Sequence, residues 1–164
     1  MSVSFNADEV FEIAQQIERN GARFYRKAAN GFSDQALKTI VLELASMEDR
    51  HLETFTKMRE TIAGGERTPT VFDPEGQGAQ YLKALADARV FDVTADPSQK
   101  LTGRESTPDV LRTAIGIEKD SVVFYLGIRD LVPPKLGRKQ VETVINEELK
   151  HITILSRELA KVIV

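Results

Sequence analysis

Two stretches of this chain repeat each other at a fixed offset of 100 residues. Ile17-Glu18-Arg19-Asn20 followed by Phe24-Tyr25 matches Ile117-Glu118-Lys119-Asp120 followed by Phe124-Tyr125, and Glu48 and His51 match Glu148 and His151 in the same register. Each matched stretch carries apolar residues at helical spacing, so the repeating unit reads as a helix–turn–helix. One such pair cannot bury its apolar stripes alone, and two copies packed together can. The repeat therefore points to an all-α four-helix bundle with pseudo-twofold symmetry, built from two antiparallel helix pairs.

Start and stop signals place the four helices. Asn6 as N-cap with Glu9 three residues on forms a capping box, and the first helix spans about 6–30, stopping at Asn30-Gly31. Ser33-Asp34 opens a second over 33–63, which ends before Gly64-Gly65. Thr107 as cap and Pro108 at the first helical position open a third over 107–132, stopped by Pro133-Pro134. The fourth covers 134–163, with Gly137 weakening its first turn. Residues 64–106 contain glycines, prolines and one helical-looking piece, Ala79 to Val90. So long a connector suits a crossover between two helix pairs, and all 164 residues fit one domain.

Composition narrows the chemistry. A net charge of -3 with no basic stripe argues against a nucleic-acid partner. No apolar run reaches the roughly 18 residues a membrane helix needs, and the start lacks a signal peptide's basic and apolar regions. A cytoplasmic protein is expected, without a membrane partner. With no cysteine, disulfides, thiolate catalysis, zinc ribbons, rubredoxin-type centres and iron–sulfur clusters are excluded.

The glutamates of the repeat are placed with care. Glu18 and Glu48 lie 15 residues either side of Ser33, and Glu118 and Glu148 lie 15 either side of Pro133. In antiparallel pairs all four carboxylates then stand at nearly one height, each about 22 Å from its turn. Their helical neighbours are apolar: Leu44, Ala45 and Phe55 near Glu48, Ile145 and Leu155 near Glu148, Ile115 and Val122 near Glu118. Glu18 is flanked by Ala14, Gly21 and Ala22, which leave room beside the carboxylate. A single helical glutamate ordinarily faces water, as Glu53 should among Asp49, Arg50 and Lys57. Four on apolar stripes are different, because burying each unpaired carboxylate costs several kcal/mol. Two divalent cations would cancel the four negative charges. The chain has only two histidines, His51 and His151, each three residues after one of these glutamates. At that spacing both side chains of a Glu-x-x-His unit point the same way. Two such units plus one glutamate from each other helix make the ligand set of di-iron and di-manganese carboxylate bundles. Its oxygen-rich character favours iron or manganese over structural zinc.

In these residues the chain resembles the ferritin-like superfamily and, within it, rubrerythrin-like proteins. The resemblance covers 6–63 and 107–164 but not the crossover. It implies Glu18 and Glu118 as terminal ligands, Glu48 and Glu148 as bridges, and His51 and His151 as ligands to one metal each. It implies two iron ions per chain, with manganese or zinc as alternative occupants. Tyr25, one heptad after Glu18, stands where rubrerythrins place a tyrosine beside the cluster, and Tyr125 is its repeat mate. Three departures matter. Rubrerythrins carry a further glutamate where this chain has Ser121, bacterioferritins a haem-binding methionine where it has Asp49, and cage-forming ferritins a fifth helix, which is not expected here. The expected function is an oxidoreductase reacting with peroxide or dioxygen and re-reduced by an external electron donor. An iron-binding or ferroxidase protein, and a bundle stapled by structural metal, are the alternatives. A homodimer is expected from the resemblance and from apolar residues of the crossover, namely Val71, Phe72, Tyr81, Leu82, Leu85, Val90 and Phe91. No substrate pocket is definable from the sequence.

Overall fold

The structure, a computed structural model, describes residues 7–63, 77–86 and 95–163. Four long helices dominate: α1 (Ala7–Gly31), α2 (Gln35–Ala63), α4 (Thr107–Arg129) and α5 (Arg138–Val162), with a short α3 (Gln77–Ala86) in the crossover. No strand occurs among the described residues. Helix α1 packs along α2, and α4 along α5, with lighter contacts between α1 and α4 and between α2 and α5. The all-α bundle of two antiparallel pairs joined by a long crossover is therefore present.

The apolar stripes build two clusters. One gathers Val10, Phe11 and Phe55 with Phe124, Ile128 and Val141. The other gathers Phe24, Phe32 and Val41 with Val110, Leu111 and Leu155. The first joins the start of α1 and the end of α2 to the end of α4 and the start of α5. The second joins the opposite ends, so α2 and α4 run parallel. A connector between parallel helices must travel the length of the bundle, which is why the crossover is long. It also puts the two hairpin turns at opposite ends, with mid-helix residues between the clusters.

Local chemistry sets the ends. The Asp34 carboxylate accepts the Leu37 backbone N–H at 2.9 Å and caps α2. The expected cap at Asn6 lies outside the described residues. Ser106 rather than Thr107 caps α4, its hydroxyl accepting the Asp109 N–H. Helix α4 ends at Arg129, short of the expected 132, and α5 begins at Arg138, not 134. Between them Pro134–Leu136 make one 3-10 turn. Gly137 then adopts φ 109°, which a right-handed helix cannot contain.

Part of the crossover seals the bundle. Helix α3 lies on α4, where Gly127 leaves a seat for Tyr81: a Cβ there would stand 2.1 Å from the ring. The Tyr81 hydroxyl donates to the Val123 carbonyl at 2.9 Å. Further on, Lys27 Nζ donates to the Ser98 carbonyl at 2.8 Å, and Arg23 pairs with Asp96, tying residues 95–100 to α1. Of the apolar residues from which pairing was expected, Tyr81 is thus partly buried against the bundle itself. Val71, Phe72, Val90, Phe91 and the side chains of Leu82 and Leu85 lie outside the described residues.

Candidate metal centre

Between the two apolar clusters the bundle holds a buried polar layer. Glu18, Glu48, Glu118, Glu148, His51 and His151 are each at most 3% exposed. Their donor atoms fall into two overlapping groups. Glu18, Glu48, His51 and Glu148 form one, and Glu48, Glu118, Glu148 and His151 the other, with donor atoms within 4.8 Å of one another in each. Glu48 and Glu148 belong to both. The fold thus brings together all six residues that the repeat spacing singles out.

Both imidazoles turn Nδ1 inward. His51 Nδ1 lies 3.4 Å from Glu18 and 3.3 Å from Glu148. His151 Nδ1 lies 2.9 Å from Glu148, 3.1 Å from Glu48 and 3.4 Å from Glu118. The rings stack with centroids 5.7 Å apart. Small residues make the space: a Cβ on Gly21 would stand 3.0 Å from Glu48 Oε2.

The layer is electrostatically incomplete without a cation. Burial, and then the charge of neighbouring carboxylates, push the carboxyls of Glu18 and Glu48 up and that of Glu148 to about 8. Burial opposes charge on the histidines as well, but the surrounding carboxylates outweigh it and push both imidazoles up to about 12. Even so, Glu18 Oε2, Glu48 Oε1, both oxygens of Glu148 and both Nδ1 atoms are buried without a hydrogen-bond partner. Polar atoms so placed are expensive unless something else binds them. Carboxylate oxygens and neutral imidazole nitrogens are the donors a hard or borderline divalent cation takes. The residues present fit a pair of such ions.

The tyrosines cross over. Tyr25 donates its hydroxyl to Glu118, on the other repeat, and Tyr125 donates to Glu18. Burial first, and then the adjacent carboxylates, raise both phenols well above their ordinary range, so both stay protonated donors. The sequence reading favoured Tyr25, whereas the geometry treats the two alike; the 100-residue repeat was the signal for Tyr125. Glu147 is a residue that the sequence did not single out. Glu147 Oε2 lies 2.7 Å from His51 Nε2, and only the three-dimensional approach of α5 to α2 reveals that contact.

Ser121, in the place of the further rubrerythrin glutamate, is buried and donates to the Ile117 carbonyl at 3.1 Å. It borders a cavity of about 280 Å³ between α1 and α4, lined also by Ile17, Asn20, Lys100, Gly116 and Asp120. None of the six candidate ligands lines this pocket, which the sequence did not predict.

No protein-family profile matches the chain, and no curated protein matches it. Among solved structures it is similar to a Thermotoga maritima protein provisionally described as a ferritin-like diiron-carboxylate protein, determined at 2.30 Å. The two share 24% identity, 96% of each chain is covered, and the TM-score is 0.66. At that identity the likeness speaks for the fold. The fold is ferritin-like, and within it lies a buried layer of four glutamates and two histidines suited to metal.

Proposed function

We propose that the protein is a di-iron carboxylate oxidoreductase of rubrerythrin-like type, which reacts with peroxide or dioxygen and takes electrons from a separate donor. One observation carries the reading: the two donor groups overlap at Glu48 and Glu148 and at nothing else. Glu48 and Glu148 would then be the ligands shared by the two positions. Glu18 with His51, and Glu118 with His151, complete the two positions. A pair of ferrous ions, if bound by these residues, would supply the two electrons that, with two protons, reduce hydrogen peroxide to two waters.

The chain's own residues hold and orient. The Tyr125 hydroxyl holds Glu18 Oε1 and leaves Oε2 facing His51, whereas the Tyr25 hydroxyl holds Glu118 Oε1, the same oxygen that faces His151 Nδ1. The apolar clusters on either side exclude water along the bundle axis. Ser121, whose hydroxyl is spent on the Ile117 carbonyl, is too short to add a carboxylate ligand as a glutamate there would. With no cysteine, this sequence holds no rubredoxin-type or iron–sulfur centre, and electron delivery is assigned to an external donor. Among the described residues no helix is long and apolar enough to cross a membrane. A homodimer belongs to the same reading, and a monomer at micromolar concentration in light scattering would remove it.

Anaerobic loading with ferrous iron, followed by elemental analysis and stopped-flow mixing with peroxide, tests the proposal. Two irons per chain with magnetic coupling, and oxidation on mixing, are expected. At most one iron per chain would reject the dinuclear centre. Two irons that resist both peroxide and dioxygen would reject the oxidoreductase reading and leave metal as a structural staple.

A further inference from the structure

His51 and His151 are repeat mates that aim Nδ1 at the same carboxylate layer, yet their outer nitrogens differ. His51 Nε2 lies 2.7 Å from the Glu147 carboxylate, which is 35% exposed and keeps contact with water. His151 Nε2 is buried and has no hydrogen-bond partner among the described residues. The repeat mate of Glu147 is Met47, whose thioether is a weak acceptor.

We propose that the two metal positions are unequal, with the position served by Glu18 and His51 binding more tightly than that served by Glu118 and His151, and that Glu147 is the residue setting the difference. This rests on the two-metal reading above. To ligate through Nδ1, a neutral imidazole must carry its proton on Nε2. On His51 that N–H donates to Glu147, which fixes the tautomer and ring plane and makes Nδ1 a better donor. On His151 the same N–H is buried with nothing among the described residues to accept it, so ligation there leaves an unmet donor. Glu147 is a positioning residue: it touches the ligand and not the metal.

The experiment reads occupancy and not activity. Metal-free protein is given one equivalent of cobalt(II) per chain and crystallised, and anomalous scattering measures cobalt at each position. Removing such an outer partner changes metal affinity by about 10- to 100-fold, so an occupancy ratio of at least about tenfold in favour of the His51 position is expected. Glu147→Leu should bring the ratio near unity. Met47→Glu should do the same from the other side by supplying His151 with an acceptor, and it carries the test if Glu147→Leu does not fold, as judged by circular dichroism. Equal occupancy in the unaltered protein, or a ratio that neither variant moves, overturns the proposal while leaving a two-metal centre standing. Absence of cobalt from both positions overturns the two-metal reading and the inequality with it.

Discussion

The two repeats agree within reach of the carboxylate layer and diverge outside it. Each supplies a glutamate from its first helix, a Glu-x-x-His from its second, and a tyrosine that reaches across to the other repeat. The turns have nothing in common. Asp34 closes the first in a few residues, whereas the second needs a 3-10 turn and a left-handed glycine. The outer partners of the histidines differ as well. The lesson is one of range: side chains that share buried charge must match closely, while a turn four helical turns away needs only to reverse the chain. Substitutions made in pairs across the repeat can break this comparison.

The largest effect should come from the shared carboxylates. Glu48→Ala or Glu148→Ala removes a donor from both positions, and metal content should fall from about two ions per chain to well under one. Glu18→Ala or Glu118→Ala removes a donor from one position, and about one ion should remain. Elemental analysis after reconstitution gives the numbers. Equal losses in all four variants would mean that the bridging and terminal roles are wrongly divided.

Next in size is a pH dependence that both halves share. In the metal-free protein the raised pKa of Glu148, to about 8, means that the fold keeps a proton that an unfolded carboxyl releases near pH 4.3. His51 and His151, pushed up to about 12, keep protons that unfolded imidazoles release near pH 6.5. The folded state therefore binds more protons than the unfolded one, and stability falls as pH rises. The loss runs from the unfolded carboxyl value to about 8 through Glu148, and from about 6.5 upward through the histidines. Bound metal takes the place of these protons. Thermal unfolding between pH 5 and 9 should show a falling Tm without metal and a much flatter one with it. A metal-free Tm that climbed over this range would contradict the assignment.

Tyr25→Phe and Tyr125→Phe come third. Each removes a buried hydrogen bond to a carboxylate, worth about 1.5–3 kcal/mol where an ionised partner is involved. Because the two contacts mirror each other, the losses of metal-free stability in urea should agree within about 0.5 kcal/mol. A clear excess for Tyr25 would restore the special role that the sequence reading gave it.

Much of this was legible in the sequence because it follows from periodicity. The apolar stripes, the 15-residue spacings about Ser33 and Pro133, and the two Glu-x-x-His units fix the bundle and bring six polar residues to one layer. What escaped depends on contacts between elements. Glu147 reads as an ordinary exposed helical glutamate until α5 is placed beside α2. The start of α5 at Arg138 depends on the left-handed backbone of Gly137, which sequence flags only as a weak helix former. Tyr81 looked like apolar surface awaiting a partner until Gly127 gave it a seat.

The smallest effect expected concerns the residues three places after Glu18 and Glu118, where the repeats carry Gly21 and Ser121. On the Ser121 side a Cβ is already accommodated, and its hydroxyl is spent on the Ile117 carbonyl. Ser121→Ala should therefore leave metal affinity unchanged. On the other side a Cβ at Gly21 would stand 3.0 Å from Glu48 Oε2 and 3.3 Å from Glu48 Cδ. Those atoms end a side chain that can yield by a few tenths of an ångström, so Gly21→Ala should be tolerated by the fold. Helix propensity even favours it, by about 1 kcal/mol in a helix interior. Glu48, however, is shared by both donor groups, and a displaced bridge is felt at both positions. The expected result is a Gly21→Ala protein at least as stable as the parent without metal, yet binding cobalt(II) more weakly by less than tenfold, under about 1.4 kcal/mol. Isothermal titration beside a metal-free thermal melt separates the two quantities. If Ser121→Ala, which adds no atom, weakens binding as much as Gly21→Ala, crowding of Glu48 is not the cause of the loss.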